Sequence, residues 1–120
     1  MPISYKKFLL LCIAILALTA CKLFTVDPPG VGEKAEHGYA TLEPLIKTLE
    51  QYQADTSAYP ESLEELVPDY ISSIPTEVND QPIYYKKVDE SFILSFHYIG
   101  PGMNTCSYTP EDQWQCSGAY

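Results

Sequence analysis

The sequence predicts an α+β domain in which one helix packs on a small antiparallel sheet. Two observations favour this class: apolar residues between 42 and 52 recur at helical spacing, and from Pro82 onward the pattern changes to a period of two. Because the helix comes first and hairpins follow, the helix is expected to lie across the sheet. A length of 120 residues fits one such domain.

The predicted helix has a single apolar stripe, and its members are Leu42, Leu45, Ile46, Leu49 and Tyr52. Pro44 limits where this helix begins, since proline is tolerated in a first turn but kinks a helix interior. The helix therefore starts either near Thr41, or near Lys34 with a bend at Pro44. The start near Thr41 is the preferred prediction.

The acidic stretch from residue 54 to residue 77 is interpreted as a fold signature rather than a binding site. Ser62 and Glu65 have the spacing of a capping box at the start of a short helix, which Pro68 ends. The acids therefore serve capping and solvation. A calcium site would need convergent oxygen ligands, and the EF-hand pattern is absent.

The second half of the chain predicts hairpins. Residues 82–88 form a tyrosine-rich strand candidate, residues 89–91 a turn, and residues 100–102 a loop. Between turn and loop, apolar side chains alternate on one face of a second strand; they are Phe92, Leu94, Phe96 and Tyr98.

A final hairpin is predicted from Cys106 and Cys116, which flank a turn-forming stretch at residues 109–112. Residue 111 is the midpoint, so the two cysteines would face each other at disulfide distance. A zinc or redox pair is the alternative. With no third ligand nearby and no CxxC spacing, the disulfide is preferred.

The first 20 residues have the pattern of a cleaved export signal. Lys6 and Lys7 precede an apolar run, Phe8 to Leu18, that is too short to span a membrane. The junction 18–21, Leu-Thr-Ala-Cys, resembles the lipobox of bacterial lipoproteins. This resemblance implies that Cys21 becomes the acylated first residue, with fatty acids such as palmitate. The alternative is an ordinary cleaved signal.

The predicted domain organisation is a signal peptide at 1–20, a lipidated N-terminus and tether at 21–36, and one folded domain at 37–120. Removing two lysines with the signal changes the net charge from −9 to −11, because five Lys then face 16 acidic residues. This charge argues against a nucleic-acid partner. It would instead steer a basic partner, unless it serves solvation alone.

The order of motifs resembles a known family. The stretches 49–55, LEQYQAD, and 58–66, AYPESLEEL, followed by Ile74-Pro75 and 82–85, PIYY, are similar to type II secretion pseudopilins, especially the major one, and to type IV pilin-like heads. The resemblance covers residues 39 to 99 and implies a pilin-like head. The chain departs from the family at both ends, where the apolar segment is expected to be cleaved and acidic calcium ligands are missing. The resemblance therefore implies the family's fold for this chain but not its calcium site.

Catalytic candidates are few. His97 shares a strand face with Ser95, but no acid orients the pair, and His37 lies at the approach to the helix. We therefore expect no enzyme activity, metal or cofactor. Three aromatic residues near the last hairpin are candidates for partner binding, or alternatively for core packing; they are Tyr108, Trp114 and Tyr120.

Together these patterns predict a non-catalytic binding or scaffold module in the bacterial cell envelope, associated with a secretion or pilus system. Its expected partners are the membrane, through the N-terminal lipid, and an envelope protein. Lys22 follows Cys21 where an Asp would imply inner-membrane retention, which favours the outer membrane, facing the periplasm, in a host with two membranes. The alternative is an acidic periplasmic inhibitor or chaperone of a basic exported protein.

Overall fold

The computed structural model describes residues 4–7, 9–10, 12–13 and 26–118. The expected lipidation site Cys21, most of the expected signal peptide and Tyr120 lie outside the described residues. Among the described residues, no helix is long and apolar enough to cross a membrane.

Helix α1 spans Glu33–Thr56, so the prediction that it starts near Thr41 is wrong and the alternative of an earlier start is correct. Pro44 lies inside the helix. Small residues extend the buried stripe toward the N-terminus, because Ala35 and Gly38 are buried together with Leu42. Ser57 caps the C-terminus of the helix. Its backbone is in the left-handed conformation, and its N–H donates to the carbonyl oxygen of Gln53.

A four-residue 3₁₀ helix, Leu63–Leu66, follows α1. The expected capping box is present, and the backbone N–H of Ser62 donates to Glu65 Oε2 at 3.2 Å. Leu63 and Leu66 are buried beside α1. The acidic residues of this segment thus flank a short helix that packs into the core through Leu63 and Leu66.

Two antiparallel sheets follow. The small one pairs β1, Glu77–Val78, with β2, Gln81–Pro82. The larger has the order β3-β4-β5-β6, and its strands are β3 Tyr84–Val88, β4 Ser91–Ile99, β5 Met103–Thr109 and β6 Gln113–Gly118. The strand expected over 82–88 is therefore divided, because Pro82 pairs with Glu77 while β3 pairs with β4.

The core lies between α1 and one face of the larger sheet. The alternation expected in β4 is confirmed, with Phe92, Leu94, Phe96 and Tyr98 all buried. Gly38 permits the close approach of helix and sheet, since a Cβ at this position would lie 2.2 Å from Phe96 Cε2. The α+β class with one long helix on a small antiparallel sheet is confirmed.

Candidate interaction surface

The sheet face opposite α1 is the candidate interaction surface, and we call it the open face. Antiparallel register assigns alternate strand residues to it: Tyr84, Lys86, Val88, Ser91, Ile93, Ser95, His97, Ile99, Met103, Thr105, Ser107, Thr109, Gln113, Gln115 and Ser117. These strand positions include no Asp or Glu, although the chain has 16 acidic residues. An acidic protein therefore presents one face of hydroxyl, amide, imidazole and apolar groups with a single lysine, Lys86.

The hydroxyl groups at the centre of the open face are paired across strands. Ser95 Oγ lies 2.7 Å from Ser107 Oγ, and His97 Nδ1 lies 2.9 Å from Thr105 Oγ1. Both contacts join β4 to β5, so Ser95 and His97 each bond to the neighbouring strand rather than to each other. Both contacts are cross-strand pairs, and Ser95 is not hydrogen-bonded to His97 as a nucleophile would be to its base.

The second histidine lies on α1, away from the open face. His37 borders a wide surface cavity of about 700 Å³, together with Glu33, Lys34, Glu36, Ala40 and Asn79. Its carbonyl oxygen accepts a bond from Thr41 Oγ1 at 2.8 Å, a contact within the helix. Within the part of the chain that the structure describes, no group of three or more His, Cys, Asp or Glu side chains is placed to hold a metal ion.

The aromatic residues predicted for partner binding lie mainly under the last hairpin. Tyr108 is only 6% exposed and stacks on Phe92, so its position favours the core-packing alternative. Trp114 is partly buried and packs edge-on against Phe96 at 5.3 Å between ring centroids. Only the outer part of Trp114 is available to a partner, while Tyr120 lies outside the described residues.

The disulfide prediction is confirmed. Cys106 and Cys116 face each other on β5 and β6, with 4.1 Å between their Cα atoms, and the structure joins them by an S–S bond. The disulfide lies on the α1 side of the sheet, where Cys106 is fully buried. It therefore belongs to the core rather than to the open face.

Next to the disulfide, the side chains of Tyr98 and Tyr39 hold the backbone at Gly30, and we call these contacts the clamp. The N–H of Gly30 donates to Tyr98 Oη at 2.8 Å, and Tyr39 Oη donates to the Gly30 carbonyl oxygen at 2.9 Å. Tyr39 Oη also lies 3.1 Å from Cys116 Sγ. Burial, and then the neighbouring Tyr98, raise the pKa of Tyr39, which keeps its hydroxyl protonated as a donor.

Sequence reasoning missed this clamp and assigned residues up to 36 to a tether. Only the Pro29-Gly30 turn signal pointed to structure here. Gly30 has a φ of 86°, and a Cβ at this position would lie 2.8 Å from Cys116 Sγ. Glycine is therefore required both by the backbone conformation and by the contact with the disulfide.

The far end of the sheet is acidic. The β3–β4 turn contains Asp89 and Glu90, and the β5–β6 turn contains Glu111 and Asp112. Ser91 Oγ donates to Glu111 Oε2 at 2.8 Å, which connects the two turns. Four of the 16 acidic residues are thus grouped at one end of the open face.

Comparisons of the chain with protein-family models, with curated proteins and with solved structures found no match.

Proposed function

We propose that this chain is a lipid-anchored envelope protein whose head is a non-catalytic binding or scaffold module. The lipobox-like junction at Cys21 supports the anchor. The order of helix, capped turn and tyrosine-rich hairpin, which resembles pilin-like heads, supports a place beside a secretion or pilus assembly in the envelope. The outer membrane is the proposed location in a host with two membranes.

The observation that carries a binding role is the open face. A partner that docks on it meets hydroxyl, amide, imidazole and apolar groups and the cation of Lys86, rather than the carboxylates found elsewhere on the chain. Tyr84 is half exposed there and offers the kind of aromatic contact that anchors protein interfaces. Docking at this face therefore avoids the desolvation of acidic groups.

Site-specific photocrosslinking in intact cells tests this role. A photoreactive residue replaces Gln115 on the open face, and a control chain carries it at Glu43 on the outer side of α1; both positions are exposed. We expect one envelope protein to crosslink from position 115 and not from position 43. Equal recovery from both positions, or no specific product, would contradict docking at the open face.

The second candidate, an acidic inhibitor or chaperone, is favoured by the acidic end of the sheet. Four carboxylates in two adjacent turns, including Glu90 and Glu111, would attract a basic exported protein. Crosslinking from position 90 to a basic soluble protein, with binding that weakens steeply as salt increases, would support this candidate. Salt-independent binding would count against it.

The non-catalytic assignment has its own test. His97 is paired with Thr105 and lies on the open face, so the informative variant is His97→Gln, which keeps a hydrogen-bonding side chain there but cannot act as an acid or a base. We expect the His97→Gln chain to fold and to complement a deletion strain as well as the parent chain does. Loss of function in this variant, with normal protein levels, would favour an enzymatic role, whereas loss in a His97→Ala chain alone would assign His97 to docking.

A further inference from the structure

A cluster of exposed apolar side chains surrounds the place where the described chain enters the head, and we call it the apolar pole. Its members are Val26, Val31, Ile99, Pro101 and Met103. The first four line one groove of about 370 Å³, and Met103 lies directly opposite Ile99 on the neighbouring strand. Val26, Val31, Ile99 and Met103 are 59%, 51%, 52% and 50% exposed, so each leaves half or more of its surface to the surroundings.

The position of this cluster along the chain indicates what covers it. Val26 lies five residues after Cys21, and five residues reach at most about 18 Å when fully extended. If Cys21 carries the lipid, as proposed above, the apolar pole is held within this distance of the bilayer surface. A short tether makes the contact intramolecular, with an effective concentration on the order of millimolar, so a weak attraction is sufficient.

A second copy of the chain is a poorer occupant. The five side chains expose on the order of a few hundred Å² of apolar surface, against the ~800 Å² that each partner buries in a typical specific protein interface. Two chains that begin at Cys21, each of net charge −11, would also repel each other. A lipid surface requires neither a large area nor a complementary shape.

The charges at the pole indicate the lipid class. Asp27, Glu33 and Lys34 line the same groove, so one cation balances only one of the two carboxylates; the Nζ of Lys34 donates to the carbonyl oxygen of Ile99 at 2.6 Å. Anionic headgroups would be repelled by these carboxylates and by the rest of the acidic head. We propose that the apolar pole rests on the zwitterionic lipid surface of the membrane that holds the anchor; this inference depends on the proposed lipidation of Cys21.

Tryptophan quenching by brominated lipids tests the contact. The lipidated full-length protein is reconstituted in vesicles of phosphatidylcholine brominated on the acyl chains, with Met103→Trp as the probe. Val88→Trp is the matched control, since Val88 lies on the same sheet face beside the distal acidic turn and is 37% exposed. The parent protein gives the baseline, which is the quenching of its native Trp114.

We expect the bromine atoms to cause a loss of emission for the Met103→Trp protein beyond that of the parent, and no added loss for the Val88→Trp protein. The added loss should decrease when anionic lipid replaces part of the phosphatidylcholine. Equal quenching of the two variants in a protein that remains vesicle-bound would overturn the inference. A blue shift of the Met103→Trp emission that depends on protein concentration and not on lipid would also overturn it, in favour of a second copy.

The mass of the N-terminal peptide separates failure of this inference from failure of the proposed function. Acyl chains on Cys21 without quenching at position 103 would leave the anchor intact and remove only the contact. An unmodified Cys21 would overturn the anchor and, with it, this inference.

Discussion

Substitution of Gly38 by alanine should destabilise the protein, although alanine is the better helix former. Alanine in place of glycine within a helix is worth about 1 kcal/mol in its favour. Here, however, the added Cβ would lie 2.2, 2.3 and 2.6 Å from three carbons of the Phe96 ring. Phe96 is fully buried and packs against Tyr39 and Trp114, so the ring has no free space into which to move.

The net change in the free energy of unfolding is the overpacking cost less the gain in helix propensity. Overpacking a core typically costs about 1–3 kcal/mol, and contacts this short belong at or above the upper end of that range. We therefore expect the Gly38→Ala protein to lose roughly 2 kcal/mol or more, which corresponds to a decrease in Tm of at least about 8–16 °C for a domain of this size. Urea unfolding followed by circular dichroism gives the free energy, and a thermal scan gives the Tm.

A control variant calibrates the helix term. Ala40 lies two residues further along α1 and is exposed, so Ala40→Gly should cost about 1 kcal/mol from helix propensity alone. The direction in which Gly38→Ala changes the Tm then shows which of the two effects is larger. A Tm above that of the parent would mean that helix propensity dominates and that Phe96 does not restrict this position.

Two further predictions concern the hairpin and alkaline pH. Replacing Cys106 and Cys116 together by alanine should cost about 2.7 kcal/mol for a loop of about eleven residues. Amide hydrogen exchange should accelerate at Gly30 and Val31, because the clamp packs on the disulfide; unchanged exchange there would contradict this coupling. Burial raises the pKa of Tyr85, whose hydroxyl donates to the Pro60 carbonyl oxygen at 2.7 Å. The group keeps its proton in the folded state while the unfolded tyrosine ionises near pH 10.0, so its contribution to stability is complete below that pH and is lost as the pH rises above it. Unfolding measured across this range should show a smaller alkaline loss for Tyr85→Phe, and an identical loss would contradict the assignment.

The parts of the fold that could be predicted are those determined by neighbouring residues. The alternation from Phe92 to Tyr98, the capping box at Ser62 and the pairing of the two cysteines each follow from a local pattern. The start of α1 does not, because Ala35 and Gly38 are buried as small residues and carry little hydrophobic signal. The burial of Gly38 depends on Phe96, which lies roughly 60 residues away in the sequence.

The candidate site was less accessible from sequence. Period-two alternation in β4 predicts which residues share a face, but the absence of acids from the open face emerges only when the registers of all four strands are known. Tyr108 and Trp114 illustrate the same limit. The sequence near a turn looks the same whether its aromatic side chains pack inward or outward. The position of α1 determines that Tyr108 is buried.

The clamp at Gly30 has a mechanical consequence. If the chain is anchored through Cys21, any force between membrane and head reaches the domain first at Gly30, where Tyr98 and Tyr39 hold the backbone from both sides. These two contacts, backed by the covalent bond between β5 and β6, receive the load before α1 does. Tension applied on the N-terminal side of Gly30 would have to break these two contacts before it could unwind the first turn of α1.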